Sequence, residues 1–374
     1  MSSCLIIPTY WSTNTIESWK VFDHPFPIEE EGTLLRTLEN LSEIGIKEEV
    51  VIIPVPCSKE ISDKVWGIVN KVSNLNISVI DVPTYNDMLK KLKKAGMDDK
   101  SLCLVDTYCY GGVRNLGLAY AQINGYQRAI MIDDDEVLYS DYIEKALKHV
   151  GNEYNGEKIL AKTGCVEDSL GRKIYEGQAH DSLLSWPKDK LFNEEVNSML
   201  NSSQMLYSTP IAFGGNMVLD REVFSTVPFD PFGTRGEDDD YVLNCKYCGY
   251  KMFFDPDFVL IHLPPERNQK YWSRQRQDII RFRYVREKAR IFNIDKKELG
   301  SFFGYFTGDD LEKKAVNSSI DAALVFEDNN RQEFLGFLDN AKEAVEERKE
   351  IIEGKIETFK SLIDVWQKTM NYFN

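Results

Sequence analysis

Short apolar runs recur through the first two-thirds of the chain and are typical of buried β-strands. The clearest are residues 4–10, 48–55, 76–83, 129–133 and 158–164. Between them, apolar residues return every three or four positions, as in residues 33–45 and 115–126, which predicts amphipathic helices. This alternation predicts an α/β fold, in which helices cover the faces of a sheet.

The strand pattern stops near residue 265, and the rest of the chain has a helical pattern. We therefore predict a sheet-containing domain over residues 1–264 and a helical region over residues 265–374. Within that region, residues 331–373 repeat apolar side chains at spacings of three and four, which predicts an amphipathic helix or a helical hairpin broken at Gly354. The apolar stripe either packs against the body of the chain, the favoured interpretation, or joins two copies in a homo-oligomer.

Composition places the chain among globular proteins. Hydrophobic residues make up 43% and aromatic residues 12% of the sequence, which excludes an intrinsically disordered chain. No apolar run approaches the roughly 20 residues of a transmembrane helix, and the first residues lack the basic region of a signal peptide. Seven scattered cysteines suit free thiols in a reducing compartment. The expected location is cytoplasmic, with peripheral contact to a membrane surface left open.

The charge of the chain is acidic overall and uneven along its length. Sixty acidic residues face 45 basic ones, a formal net charge of -15, which argues against nucleic acid as a partner. Residues 266–297 are the exception, with eleven basic residues against four acidic ones. This basic segment is either a solvated face that pairs with the acidic body, or a place where Arg274, Arg281 and their neighbours bind an anionic acceptor or a phospholipid surface.

The stretch AIMIDDDE, residues 129–136, puts four carboxylates directly after an apolar run. Such carboxylates repel one another unless water, protons or a cation compensates them. Ligands of α/β sheets bind beyond the carboxyl ends of the strands, where this cluster is expected to lie. The plain alternative is a solvated turn whose acids favour the following helix, which Ser140 is expected to cap.

Two motifs precede this acidic cluster along the chain. IIPTY, residues 6–10, runs from the first strand into a turn, and GGVRNLGLAYA, residues 111–121, places Arg114 and Asn115 at the start of a helix. A helix N-terminus with a nearby arginine is a natural anion site, because its free N–H groups and its dipole favour negative charge. On its own, however, a Gly-Gly pair before a helix is more often just a turn.

Three motifs follow the acidic cluster. FGGNMVLDREVF, residues 213–224, contains Gly-Gly-Asn; GTRGEDDDY, residues 233–241, starts a helix with Glu237 and Asp238; and His262 ends the last predicted strand. Taken singly, acids at a helix N-terminus are explained by the helix dipole, and a histidine at a strand end is usually structural. The order of all these motifs along one chain is more specific than any one of them.

In that order, the D-x-D at a strand end, the Gly-Gly-Asn segment, the Gly-Glu-Asp and the downstream histidine resemble GT-A glycosyltransferases, most of all the large family two of inverting sugar transferases. The resemblance covers roughly residues 4–264. It implies a GT-A fold, which is a Rossmann-like and mostly parallel sheet with helices on both faces. It also implies transfer of a sugar from a nucleotide-diphosphate sugar donor to an acceptor hydroxyl. Residues 11–32 depart from the family as an insertion, in which Trp11, Trp19 and Phe22 either cover the nucleotide or pack.

The resemblance also implies a role for each matching residue. It implies Mn²⁺ or Mg²⁺ as a cofactor, because a divalent cation between carboxylate and diphosphate oxygens reverses the local negative charge. The implied metal ligands are Asp133, Asp135 and His262, with Asp133 facing the ribose or sharing the metal. Asp238 resembles the catalytic base, and Glu237 a residue that orients it or binds acceptor hydroxyls. The remaining implied donor-binding residues are Pro8, Thr9, Tyr10, Arg114, Asn115, Gly214, Gly215 and Asn216.

Several alternatives stay open at the level of sequence. Asp134 and Glu136 offer another register for the acidic pair. The D-x-D and the histidine also resemble retaining GT-A enzymes, which need no base at Asp238. Two other function classes are a nucleotidyltransferase that forms a sugar nucleotide and a non-catalytic scaffold of the same fold that works through its C-terminal helices.

Overall fold

The computed structural model of the chain describes residues 2–16, 18, 21–23, 25–173, 186–265, 270–326 and 330–374. Trp19 of the insertion and Arg267 of the basic segment lie outside the described residues. The described part of the chain forms one large sheet, helices on both of its faces, and a helical region after the last strand.

The strands range from two to eleven residues in length. They are β1 (Ser3–Ser12), β2 (Phe26–Pro27), β3 (Glu49–Val55), β4 (Ile77–Val79), β5 (Arg128–Met131), β6 (Glu136–Val137), β7 (Glu153–Tyr154), β8 (Glu157–Lys158), β9 (Ala161–Glu167), β10 (Tyr207–Ser208), β11 (Met217–Asp220) and β12 (Met252–His262). The five apolar runs predicted as strands all contain one, within a few residues at each end, because strands buried on both faces are continuously apolar.

The helices connect these strands and also form the part of the chain after the last strand. They are α1 (Leu34–Glu43), α2 (Lys59–Val69), α3 (Val82–Lys94), α4 (Tyr110–Ile123), α5 (Tyr142–Leu147), α6 (Lys188–Leu200), α7 (Arg221–Phe224), α8 (Glu237–Tyr247), α9 (Tyr271–Ile291), α10 (Gly300–Phe306), α11 (Leu311–Phe326), α12 (Arg331–Val345) and α13 (Lys349–Asn371). Among the described residues after β12, all regular structure is helical, as the sequence pattern predicts.

The sheet is mostly parallel, as predicted. Its strand order is β10-β12-β9-β11-β5-β1-β3-β4, with β2 paired to β1 and β6 paired to β12. β1 lies parallel to β3 and β5, and β9 lies parallel to β12, whereas β11 runs antiparallel to both β5 and β9. The reversed strand β11 therefore brings the residues that precede it to the sheet edge where β5 ends.

Both faces of the sheet are covered by helices. Successive side chains of a strand point to opposite faces, and β1 follows this rule: Cys4 and Ile6 belong to one buried cluster, while Leu5 and Ile7 belong to another. The first cluster includes residues of α3, α4 and α13, and the second includes residues of α1 and α2. The predicted α/β class is confirmed.

The C-terminal helices pack against the body of the chain. Trp366 of α13 is fully buried and donates a hydrogen bond to the Phe224 carbonyl at 2.9 Å. The predicted amphipathic stretch forms two helices, α12 and α13, but the break between them is not at Gly354, which lies inside α13. The chain turns between α12 and α13 instead, because Glu346 has an extended backbone. A homo-oligomer through these helices stays a prediction.

Two predicted helix starts are wrong. α4 begins at Tyr110, so Arg114 and Asn115 lie one turn inside the helix rather than at its start. α5 begins at Tyr142 with Asp141 at the preceding position, and no side chain caps it, so Ser140 is not its cap. Among the described residues, no helix combines the length and the apolar content required to cross a membrane.

Candidate functional site

A cavity of about 320 Å³ lies at the sheet edge where β1 and β5 end. Met217, the first residue of the reversed strand β11, pairs with Met131, the last residue of β5. The loop before β11 and the loop after β5 therefore face each other. Side chains from distant parts of the chain line this cavity: Tyr10, Asp23, Phe26, Tyr110, Arg114, Asp133, Asp134, Asp135, Glu136, Val166, Lys188, Asp189, Phe192, Phe213, Gly214, Gly215, Arg235, Gly236, Glu237, Asp238, Asp239, His262, Pro265, Arg274, Arg281 and Phe302.

Two of the four clustered carboxylates hold the loop after β5 in place. The Thr9 hydroxyl donates to Asp134 Oδ2 at 2.5 Å, and burial raises the pKa of Asp134 to about 8. Glu136 is buried, and its Oε2 accepts a hydrogen bond from the Asp133 backbone N–H at 2.7 Å. Because Asp134 is engaged with Thr9 and Glu136 with the loop backbone, the acids of the cluster that face other side chains of the cavity are Asp133, beside Arg114, and Asp135, beside His262.

Asp135 and His262 meet because of strand pairing. His262, at the end of β12, lies opposite Glu136 of β6, and the next backbone N–H, of Leu263, donates to the Asp135 carbonyl at 2.9 Å. This register brings His262 Nε2 to 3.3 Å from Asp135 Oδ2. About 30% of the His262 side chain stays exposed to the cavity. Residues 127 positions apart in sequence thus form one carboxylate–imidazole pair.

Arg114 is a buried cation between two acidic segments. Its Nη2 lies 2.8 Å from Asp133 Oδ1, and its Nε donates to Glu237 Oε1 at 3.3 Å. Only 4% of the Arg114 side chain is exposed. Its charge therefore compensates two protein carboxylates and ties the loop after β5 to the start of α8.

Two predicted glycines lie where only a small residue fits. The Gly214 N–H donates to Asp238 Oδ2 at 3.0 Å. A Cβ at Gly215 would clash with Glu136 Oε1 and lie 2.8 Å from Asp133 Oδ2. The two glycines thus let the backbone before β11 lie close to the Asp238 carboxylate at Gly214 and to the Asp133 and Glu136 carboxylates at Gly215.

Other predicted donor-binding residues lie behind the cavity and support its walls. Asn115 is buried and exchanges two hydrogen bonds with the Phe229 backbone. The Asn216 amide donates to the Cys165 and Phe258 carbonyls and so links β9 to β12. Pro8 and Thr9 are buried within β1, whereas Tyr10, at its end, lines the cavity. A direct contact of these four supporting residues with a ligand stays a prediction.

The acids at the start of α8 point in different directions. Glu237 pairs with Arg114, Asp239 Oδ2 lies 2.5 Å from Arg281 Nη2, and Asp240 pairs with the buried Lys288. Burial and the neighbouring Asp238 carboxylate raise the pKa of both Glu237 and Asp239.

Asp238 differs from these neighbours. In the described part of the chain it makes no salt bridge, and its oxygens accept only the backbone N–H groups of Gly214 and Asp239, at 3.0 and 2.8 Å. It is also the least buried acid of the run from Glu237 to Asp240, and it lines the cavity. Among the described residues, Asp238 is therefore the carboxylate at the start of α8 that lines the cavity without a salt-bridge partner.

The wall opposite the acidic loop, residues 133–136 after β5, is basic and aromatic. Lys188 of α6, Arg235, and Arg274 and Arg281 of α9 line it, and Phe192, Phe213 and Phe302 pack edge to face around Phe192. Sequence reasoning identified Arg274 and Arg281 but missed Lys188 and the three phenylalanines. Arg235 had a detectable signal, since it directly precedes the Gly-Glu-Asp segment.

The basic segment is more buried than predicted. Arg281, Arg283 and Lys288 of α9 are all less than 9% exposed. Lys288 Nζ lies 2.7 Å from Asp230 and 2.6 Å from Asp240. This part of the segment pairs with acids of the body, but inside the molecule rather than on a solvated face, because α9 packs between α8 and the last helices.

The described side chains of the cavity supply only part of a metal coordination shell. Among the described residues, no group of three or more His, Cys, Asp or Glu side chains could hold a metal ion. Two of the predicted ligands, Asp135 and His262, lie next to each other, while the third, Asp133, is paired with Arg114. One carboxylate, one imidazole and the oxygens of a bound phosphate form a donor set that suits Mn²⁺ or Mg²⁺.

Comparison with known proteins finds similarity in structure alone. No protein-family model matches the chain, and no curated protein sequence matches it. A mannosyltransferase, PcManGT from Pyrobaculum calidifontis, solved with GDP-Man and Mn²⁺, is 13% identical, with a TM-score of 0.48 over 97% of this chain and 85% of that chain.

Two further solved structures are similar at the same level. A mycobacterial protein is 11% identical, with a TM-score of 0.41 over 79% of this chain and 76% of that one. S. aureus TarS is 13% identical, with a TM-score of 0.39 over 99% of this chain and 55% of that one. Identities and TM-scores this low say nothing about individual site residues, whose roles depend on the geometry of the cavity.

Proposed function

We propose that this chain is a metal-dependent glycosyltransferase of the GT-A type, which moves a sugar from a nucleotide-diphosphate sugar to an acceptor hydroxyl. The observation that carries the proposal is the position of Asp238. This carboxylate faces the same cavity as the Asp135–His262 pair, and the two acids beside it are each neutralised by a buried arginine. The cavity thus combines a metal-binding pair with an ion-paired acidic segment that leaves one carboxylate free.

Asp238 is the proposed general base. In the transfer step, the acceptor oxygen forms a bond to the anomeric carbon, and the bond from that carbon to the diphosphate oxygen breaks. The acceptor proton passes to the Asp238 carboxylate, and the nucleoside diphosphate leaves with the bonding electron pair. Displacement from the opposite side inverts the anomeric centre. The two backbone N–H groups that bond to Asp238 hold its oxygens in a fixed direction.

Asp135 and His262 are the residues that would hold the divalent cation, with Asp133 beside them. When bound, such a cation stabilises the negative charge that develops on a leaving diphosphate. The other acids of the loop keep their own tasks. Asp134 accepts the Thr9 hydroxyl, and Glu136 accepts the Asp133 backbone N–H, so both shape the loop that presents Asp135.

Arg114 completes the proposed donor side, and its partner Glu237 is the residue proposed to orient Asp238 or to bind acceptor hydroxyls. Arg114 holds Asp133 and Glu237 close together, and its charge opposes the rise in pKa that burial and neighbouring carboxylates cause in both acids. Tyr10 and Tyr110 line the cavity with ring centroids 5.7 Å apart, at the end of β1 where the nucleoside is expected. Aromatic rings at such a place can contact a flat base.

Calorimetry with a panel of UDP-, GDP- and dTDP-sugars, with and without Mn²⁺, tests the proposal. We expect one nucleotide sugar to bind, with an affinity at least about tenfold higher with the metal, which corresponds to about 1.4 kcal/mol. Asp135→Asn should remove this metal dependence. Asp141→Asn is the matched control, because Asp141 lies nearby but its side chain is 49% exposed and pairs with Lys145. Metal-independent binding, or normal binding by Asp135→Asn, would contradict the proposal.

The base is tested separately. Asp238→Asn should bind the donor with unchanged affinity and lose sugar transfer by about 100-fold or more, the usual contribution of a general base. NMR of the product then gives the anomeric configuration. Retention of configuration would remove the need for a base at Asp238 and would favour the retaining class instead.

A further inference from the structure

Arg274 stands out among the cations that line the cavity. It lies in the first turn of α9 and is partly exposed. Among the described residues, its guanidinium makes no salt bridge or hydrogen bond. The other arginines and lysines of the cavity wall, Arg114, Lys188, Arg235 and Arg281, each have an acidic partner within 4 Å. A guanidinium presents several N–H donors in a plane and binds phosphate or carboxylate in a bidentate manner.

Near Arg274, the cationic side chains outnumber the carboxylates with which they pair. Asp278 lies 3.0 Å from Lys188, 3.8 Å from Arg235 and 3.9 Å from Arg281, so that three cations surround one acid. Arg235 also pairs with Asp23, and Arg281 also pairs with Asp239. Loss of solvent and the charges of Arg235 and Arg274 lower the pKa of Lys188, whereas the carboxylate of Asp278 acts in the opposite direction.

One acidic residue, Asp189, also lies in this mainly basic wall. Asp189 lines the cavity beside Lys188, and its charge favours the protonated form of Lys188. Asp189 follows Lys188 in the first turn of α6. Across the described ranges of the chain, no ion pair joins Asp189 or any other acid to the Arg274 guanidinium, whose charge stays uncompensated.

We propose that Arg274 and Lys188 bind an anionic group, a phosphate or a carboxylate, carried by the acceptor. This inference deepens the glycosyltransferase proposal and rests on it. An anion between these two side chains would gain hydrogen bonds from Arg274 and relieve the repulsion between the two cations. Phe192, which lines the same wall and is partly exposed, would contact the uncharged part of the acceptor, with the buried Phe302 packed behind it.

The acceptor, rather than the donor, is the molecule expected at this place. Asp238 lies between two linked groups of charges: Glu237, on one side of it in sequence, pairs with Arg114 of the proposed donor side, and Asp239, on the other side, pairs with Arg281. A base that takes a proton from the acceptor must lie where the two substrates meet. The charges linked to Asp239, which begin with Arg281, therefore lie on the acceptor side.

Binding of glycerol 3-phosphate, with glycerol as the neutral control, tests the anion site directly. We expect calorimetry to detect glycerol 3-phosphate and not glycerol with the wild-type chain. Arg274→Gln should raise the Kd for glycerol 3-phosphate by about tenfold or more. Arg290→Gln is the matched control on the same helix, because the Arg290 side chain is 57% exposed and pairs with Glu287 and Glu353. Equal Kd values for wild type and Arg274→Gln would overturn the proposal.

Vesicles distinguish a lipid-linked anion from a soluble one. Co-sedimentation compares vesicles of phosphatidylglycerol with vesicles of phosphatidylcholine. Binding of phosphatidylglycerol vesicles that is lost in Arg274→Gln, but not in Arg290→Gln, assigns the anion to a lipid headgroup. Binding of glycerol 3-phosphate alone, with the same dependence on Arg274, assigns it to a soluble acceptor. If neither probe depends on Arg274, the anion site is wrong.

Donor hydrolysis separates this inference from the proposed function. We expect Arg274→Gln to hydrolyse the nucleotide sugar at the wild-type rate while its apparent KM for acceptor rises. If the variant instead loses donor binding, the anion at Arg274 is the donor diphosphate and the acceptor proposal is wrong. If the wild-type chain binds no nucleotide sugar yet binds phosphate through Arg274, the glycosyltransferase proposal fails and the anion site stands.

Discussion

Arg281 Nη2 lies 2.5 Å from Asp239 Oδ2. Arg281 belongs to α9, after the last strand, whereas Asp239 lies in the first turn of α8, next to Asp238. The guanidinium also covers Gly236, where a Cβ would lie 2.6 Å from Arg281 Nε. A helix outside the sheet-containing part of the chain therefore holds the start of α8, and with it the proposed base, in place.

Substitution of Gly236 tests this positioning. Gly236 has φ +67°, and an alanine there would strain the backbone and displace the Arg281 side chain. We expect Gly236→Ala to lower kcat by about tenfold while the donor Kd stays within about twofold.

Gly249→Ala is the control for this prediction. Gly249 follows the same helix and has φ +84°, and among the described residues no atom lies within 4 Å of the place that a Cβ would take. The substitution therefore introduces the backbone strain without the clash. It should lower the thermal midpoint and leave kcat unchanged. A similar kcat for both variants and wild type would show that Arg281 does not position Asp238.

The two middle acids of the acidic loop should respond differently to substitution. Asp135 is paired with His262 at the cavity, whereas Asp134 accepts the Thr9 hydroxyl in the interior. Asn keeps an acceptor oxygen for Thr9, so Asp134→Asn should retain metal-dependent donor binding with a Kd within about threefold of wild type. Asp135→Asn should lose it.

Titration of Mn²⁺ into each variant at a fixed donor concentration is the measurement, with circular dichroism as the check of folding. Loss of metal dependence in Asp134→Asn with an intact spectrum would move the metal-binding pair to the other register, Asp134 and Glu136.

The sequence predicted the sheet well because its strands are short, continuously apolar and buried. The family resemblance names Asp135 and His262 as metal ligands; the two side chains lie 3.3 Å apart, and the metal role stays a prediction. The sequence could not predict that Arg114 pairs with Glu237, 123 positions away, because an ion pair between distant segments leaves no local pattern. The helix start at Tyr110 was missed for a related reason: two glycines in its first turn predict a turn, yet both lie inside α4, where Gly111 packs against the Asp230 backbone.

Lys288 should matter for stability. Its ammonium group is fully buried and lies between Asp230 and Asp240, at 2.7 and 2.6 Å. Lys288→Met removes the cation and leaves two buried carboxylates without compensation, which costs about 3–5 kcal/mol. Urea unfolding of this variant should therefore show a much lower midpoint than wild type. The exposed Lys297→Met serves as control, and equal midpoints for the two variants would contradict the prediction.

Asp278 should give a pH-dependent contribution to stability. Burial opposes its charge, but Lys188, Arg235 and Arg281 hold its pKa at about 2, below the ordinary value of 3.8. An acid with a lowered pKa in the folded state stabilises the protein above its unfolded pKa, and this stabilisation is lost as the pH falls toward the folded pKa.

Asp278→Asn should therefore lower the free energy of unfolding by about 3 kcal/mol at neutral pH, and the difference from wild type should shrink below about pH 4. Urea titrations near pH 7, 5 and 3 measure it, with the exposed Asp309→Asn as control. A difference that stays constant across these pH values would show that Asp278 does not titrate in this way.

The two walls of the cavity come from separate stretches of the chain. Tyr10, Arg114 and the acidic loop after β5 form one wall, and side chains of α6, α9 and α10 form the other. Substitutions at the partly exposed side chains of the second wall, unlike substitutions of the buried Arg281, can therefore accumulate without disturbing the first wall. Evolution, or a designer, could exchange the surface formed by Phe192 and Arg274 to admit a new partner molecule while the sheet edge keeps its original one.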